Sequence, residues 1–217
     1  MTMEKIGRYD TSGLTEAQFE PGSRGRVLKN KLGIKSKREM DKIEAREQIR
    51  ALEELSGIYY REHRFTAADI CRIHKIWIGP VYEWAGQYRQ VNITKGNFTF
   101  AAARQIPRLM AELEKGHLKK YTPCFFQSEA DIAKAIAVVH TELVLIHPFR
   151  EGNGRTARML ATLMALQAGL PSLDFNGIRG RKRQEYVAAI HAGLNNQFEP
   201  MEEIFGAVIR RTLRTQK

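Results

Sequence analysis

Residues 147–158 read HPFREGNGRTAR. This short run holds a histidine (His147), a carboxylate (Glu151), a glycine–asparagine–glycine string (Gly152, Asn153, Gly154) and three arginines, of which Arg155 and Arg158 follow the glycines. Glycines let backbone N–H groups approach an anion closely, and arginine adds planar paired donors. A carboxylate beside phosphates repels them unless a divalent cation lies between. Mg²⁺ suits that place, because it is held by one or two carboxylates plus phosphate oxygens and water. His147 is the one side chain here that exchanges a proton near neutrality. The set points to phosphate-transfer chemistry on a nucleotide. It is not a P-loop, since the glycines follow a helical pattern rather than a strand and no Gly-Lys-Ser/Thr is present.

Such groups must be held from both sides. The apolar stretch 128–149, SEADIAKAIAVVHTELVLIHPF, reads as a central buried helix capped by Ser128 and ending near His147-Pro148. The stretch 154–169, GRTARMLATLMALQAG, reads as a second helix that begins near Asn153 or Gly154 and is stopped by Gly169 and Pro171. The Gly152–Gly154 string then sits at a helix N-terminus, where free N–H groups and the helix dipole favour an anion. Phe149 anchors the intervening loop in the core. Ser36 with Glu39, and Thr66 with Asp69, mark two earlier helix starts, and Gly79-Pro80 stops the second of these helices. Around Lys95-Gly96 the alternation of Val91, Ile93, Phe98 and Phe100 predicts a short β-hairpin. Helical patterns return at 103–118, 181–195 and 200–213. The class expected is all-α with one hairpin, as a single domain over 1–217 with an arm at 1–35 and a catalytic core at about 60–205.

The bulk properties narrow the partners. With 217 residues, 43% of them hydrophobic, the chain can bury a sizeable core. Cys71 and Cys124 stand far apart, which argues against a disulfide framework and for a reducing, cytoplasmic setting. No apolar run is long enough to span a bilayer, so no membrane partner is expected. The net charge of +11 is concentrated at 21–50, 179–183 and the tail. A basic nucleic-acid-binding module would fit that charge, yet aromatic residues do not interleave the clusters and the reading leaves Glu151 unexplained.

The string His147 to Arg158 resembles the signature of Fic domains, H-x-F-x-D/E-G-N-G-R-x-x-R, in full. YEWAGQYR at 82–89 resembles the F/Y-x-W-A-G-x-x-R element that precedes the Fic flap. TKGNFTFA at 94–101 resembles the flap, and EPGSRGRVLKNKLGI at 20–34 is similar to the N-terminal arm of many bacterial members. The resemblance implies a Fic-fold helical bundle around a central buried helix, with the hairpin as flap. It also implies transfer of AMP from ATP to a Ser, Thr or Tyr hydroxyl of a target protein, releasing pyrophosphate. His147 would be the base and Glu151 the Mg²⁺ ligand. Gly152, Asn153 and Gly154 would form the phosphate nest, Arg155 would support the β-phosphate and Arg158 would reach the γ-phosphate. Flap residues Lys95, Gly96, Asn97, Phe98, Thr99 and Phe100 would bind the target, with Phe98 or Phe100 as a clamp unless they pack inward; Lys95 could equally face solvent or a phosphate.

Tyr186, with Asn195 or Asn196, falls near the adenine-binding region of the family; a Tyr186 simply buried on a helix face is the alternative. Gly154 stands where phosphorylating relatives carry Lys, which favours AMP transfer, while transfer of UMP or phosphocholine stays open. Many members carry an inhibitory S/T-x-x-x-E-G/N helix. Ser12 to Glu16 fits its first part, but Ala17 replaces Gly/Asn. The resemblance is therefore to members inhibited by a separate small antitoxin, whose Glu would contact Arg158. Either a toxin or an effector delivered into another cell would carry such a domain.

Overall fold

The computed structural model describes residues 13–215. Its organising element is helix α5 (Glu129–Ile146), which is buried around most of its circumference. Ser128 caps it, with Oγ accepting from the Asp131 N–H at 3.0 Å, and alanines at 133, 135 and 137 let neighbours approach closely. Helices α6 (Asn153–Gln167) and α8 (Glu199–Arg214) pack along α5, and α7 (Arg181–Ala192) lies against both α5 and α8. On the other side α2 (Ala67–Ile78) bridges α6 to α1 (Lys37–Ile58). Both early starts form as their side chains dictate. Ser36 accepts from the Glu39 N–H, and Thr66 and Asp69 make a reciprocal capping box.

The hairpin is short. Strands β1 (Thr94–Lys95) and β2 (Phe98–Thr99) pair antiparallel with Thr94 opposite Thr99 and Lys95 opposite Phe98; Gly96 supplies the positive φ of the turn. The following helix is less regular than its sequence predicts. Helix α3 (Ile106–Leu113) widens into a π turn at Glu114–Leu118 and ends in α4 (Lys119–Tyr121). A strict 3.6-residue period would carry His117 to the core, whereas the wider turn buries Leu118 fully instead.

Over residues 13–35 the arm holds one 3-10 turn, Thr15–Ala17, and is otherwise irregular but tied down. A single bridge joins Phe19 to Leu28, and Lys31 reaches the Gly79 carbonyl at 2.8 Å. Ser12, the first position of the inhibitory pattern, lies outside the described residues. Glu16 is buried at 5% exposure, accepts the Gln90 N–H and, through its carbonyl, the Arg150 guanidinium.

Candidate active site

His147 is the residue on which α5 ends. Its backbone is left-handed at φ 53°, a strained setting for a residue with a side chain, and this turns the chain sharply into the loop. The Nδ1 atom faces the Val144 carbonyl at 3.2 Å, which accepts only; Nδ1 therefore carries the proton and Nε2 is left as an acceptor. Phe100 of the flap stacks over the imidazole at 3.7 Å, leaving the residue 4% exposed. Burial, then the charge of Lys95, pushes the His147 pKa down to about 3. The ring is neutral at ordinary pH.

Arg89 holds this arrangement together. It is fully buried, and its guanidinium donates to the carbonyls of His147 (2.7 Å), Val91 (2.7 Å) and Ala101 (2.6 Å), while its own N–H bonds the Pro148 carbonyl. One side chain thus joins the turn that bears the base to both ends of the flap. The residue carries no role in the sequence reading, though it is the arginine closing YEWAGQYR, and the one basic residue in an aromatic run was the available signal.

Beyond Pro148 the loop is shaped by two clamps. The Asn153 side chain accepts the Phe149 N–H and donates to the Phe149 carbonyl, both at 2.8 Å. Asn153 therefore offers a ligand only its backbone. His74 stacks flat on Phe149 at 3.8 Å, accepts the Gly86 N–H through Nδ1 and donates from Nε2 to the Glu151 carbonyl at 3.1 Å. Burial pushes His74 to about 3, consistent with that neutral tautomer.

Gly152 then takes φ +82°, and a Cβ there would meet the Trp77 ring at 2.5 Å. Its carbonyl receives the N–H groups of Arg155 and Thr156. The N–H groups of Asn153 and Gly154 precede these first helical bonds and stand at the positive end of the α6 dipole. A Cβ on Gly154 would meet only the Arg158 guanidinium, at 4.0 Å. Packing does not require glycine there, whereas close approach of a ligand does.

The two arginines differ. Arg158 is partly exposed, its Nε donates to the Gly154 carbonyl at 3.2 Å, and its guanidinium lies 5.9 Å from the Phe175 ring. Arg155 bonds Glu44 of α1 at 2.7 Å and covers the Trp77 ring at 4.6 Å, because a buried carboxylate needs a fixed countercharge.

Glu151 is the one carboxylate of the loop. Its side chain is 35% exposed, and among the described residues no group of three or more His, Cys, Asp or Glu could cage a metal. One accessible carboxylate beside free helical N–H groups fits a hard cation that takes its other oxygens from phosphate and water.

The hairpin and α7 enclose a cavity of about 470 Å³ lined by Lys95, Asn97, Phe98, Phe100, Tyr186 and His191, among others. Phe98, half-buried, stacks on exposed His191 at 4.4 Å, whereas Phe100 packs on the buried His147. Tyr186 borders this cavity, but its hydroxyl is bonded to buried His140 at 2.7 Å, which leaves the ring as its free surface. Asn195 is exposed in the 3-10 turn that follows α7. Glu16 lies against Gln90 and Arg150 rather than Arg158.

A left-handed histidine at a helix end, a glycine cradle opening the next helix and an aromatic flap overhead are thus held together by one α-helical bundle. Residues 64–165 match the model of the Fic/DOC family. Protein adenylyltransferase VbhT of Bartonella schoenbuchensis is 34% identical over 198 residues, covering 86% of this chain and 37% of the relative. The Sinorhizobium fredii protein y4lH is 33% identical over 155 residues, covering 66% of this chain and 72% of the relative. The N-terminal Fic domain of a VirB-translocated Bep effector from Bartonella quintana, solved with bound ADP, superposes with a TM-score of 0.67 at 31% identity, covering 83% of this chain and 89% of that one. The chain belongs to the Fic/DOC family. It spans just over a third of the length of the Bartonella schoenbuchensis relative. No helix among the described residues is long and apolar enough to cross a membrane.

Proposed function

We propose that this chain is a protein adenylyltransferase, a single Fic catalytic unit that moves AMP from ATP to a Ser, Thr or Tyr hydroxyl of a target protein. The observation that carries the reading is His147 at the end of α5, its Nδ1 turned to the Val144 carbonyl so that Nε2 is the acceptor, on the loop that opens α6 at Asn153. The hydroxyl oxygen attacks the α-phosphorus, its proton passes to Nε2, and the bond to the β-phosphate breaks to release pyrophosphate. The Asn153 and Gly154 N–H groups hold phosphate oxygens, and Arg158, on the next turn of α6, takes the far end of the triphosphate. Glu151 would hold Mg²⁺, which supplies charge neutralisation on the phosphates when bound. The flap aligns the target segment by adding a strand, and Phe100 must shift to admit the hydroxyl to His147. The Tyr186 ring contributes an apolar wall for the base.

The name of the Bartonella schoenbuchensis relative, a protein adenylyltransferase, and the ADP in the Bartonella quintana structure support this activity. Arg158 is also the place for an inhibitory glutamate from a small antitoxin, so the protein produced alone is expected to be active. Action inside the producing cell and delivery into another cell use the same chemistry.

The test is labelling of a cell lysate with α- and γ-labelled ATP in parallel. Transfer of the α-label, lost in His147→Ala, supports the proposal. Transfer of the γ-label alone would replace it with phosphorylation.

A further inference from the structure

Arg155 has two carboxylates within reach. Its Nη1 lies 2.7 Å from Glu44, and its Nη2 lies 3.7 Å from Glu151, one turn back on the same side of the cradle. Glu44 comes from α1, 111 residues away in sequence and outside the stretch 64–165 that matches the family. It is 1% exposed and fixed at both oxygens, since the Tyr82 hydroxyl donates to the second at 2.9 Å. Trp77 completes the holder. Its indole N–H donates to the Glu44 carbonyl at 3.0 Å, and its ring lies under the Arg155 guanidinium.

We infer that Glu44 is a positioning residue: it holds Arg155 away from Glu151, so that the Glu151 carboxylate keeps its charge for the divalent cation. The inference rests on the reading of Glu151 as the cation's carboxylate. An arginine released from Glu44 has one near countercharge left, Glu151, which stands in the loop two residues before α6 and already lies 3.7 Å from Nη2. Such a pair neutralises the carboxylate that the cation needs. Glu44 touches neither cation nor nucleotide and acts through Arg155, as outer partners of metal ligands do.

The test is binding of Mn²⁺, followed by its electron paramagnetic resonance signal, in the presence of a non-hydrolysable ATP analogue. Melting temperatures are measured in parallel. Glu44→Gln is expected to weaken Mn²⁺ binding roughly tenfold. The double variant Glu44→Gln/Arg155→Gln removes the competitor and is expected to return Mn²⁺ affinity towards the wild-type value. Should Glu44→Gln not fold, Glu44→Asp keeps the charge but shortens the reach, and is expected to shift Mn²⁺ affinity in the same direction. Unchanged Mn²⁺ affinity in a folded Glu44 variant overturns the inference. So does a loss that the double variant fails to restore, which would mark Glu44 as structural or Arg155 as a phosphate ligand. A wild-type protein that binds the analogue with no dependence on Mn²⁺ overturns the reading of Glu151 itself.

Discussion

Gly152 and Gly154 stand two residues apart and answer to different constraints. Gly152→Ala must tolerate φ +82° and drive a methyl group into Trp77, so a stability loss of about 2 kcal/mol or more is expected in thermal or denaturant unfolding. Gly154→Ala has room in the protein and should melt close to wild type, while calorimetry should find nucleotide binding weakened. Equal melting losses in both would mean the cradle glycines serve the fold alone. His147 makes a separate statement about pH. Its pKa is lowered from 6.5 to about 3, so the proton-accepting form persists as pH falls below 6.5. The acid limb of kcat/KM is therefore expected well below pH 6.5. A limb at 6.5 would mean that the working site is far wetter than the closed one.

The flap and the end of α5 behave as one element because Arg89 bonds both. Arg89→Met keeps the bulk but strands three buried carbonyls, each costing about 1–3 kcal/mol when unsatisfied. The expected result is a lowered melting temperature and a fall in kcat that exceeds any loss of ATP affinity. Phe100→Ala should uncover His147 and raise its rate of modification by diethyl pyrocarbonate, read by mass spectrometry of the peptide. An unchanged rate would show that another residue does the covering. Helix starts such as Ser36, Thr66 and Ser128 are legible in sequence because cap and partner lie within one turn. The cradle is legible for the same reason, its residues being contiguous. Glu44 with Arg155, and Glu16 with Gln90, are not: their partners are 111 and 74 residues distant, and no local pattern carries such a contact. The π turn at Glu114–Leu118 escapes too, since only the packing of Leu118 selects it.

Across the molecule, three buried histidines are held neutral. His74, His140 and His147 are each pushed by burial to about 3. Unfolded, they take up protons near 6.5; folded, they do so only near 3. Stability is thus full above about pH 6.5 and is lost as pH falls towards 3, by up to about 1.4 kcal/mol per pH unit for each group. Melting temperature should decline steadily below pH 6.5 and more gently in a His140→Gln variant that folds. A melting temperature flat from pH 7 to 5 would mean that these sites hydrate before the fold yields.

The two aromatic stacks of the flap, Phe100 on His147 and Phe98 on His191, also make the protein its own gauge. A ring lying flat on an imidazole shields its carbon-bound protons through the ring current. His147 and His191 should resonate upfield when the hairpin is down and drift to ordinary positions when it lifts, whereas His74, stacked on Phe149 rather than on a flap ring, should stay upfield throughout. Proton spectra of the unlabelled protein would then follow target or nucleotide entry residue by residue, with no probe attached.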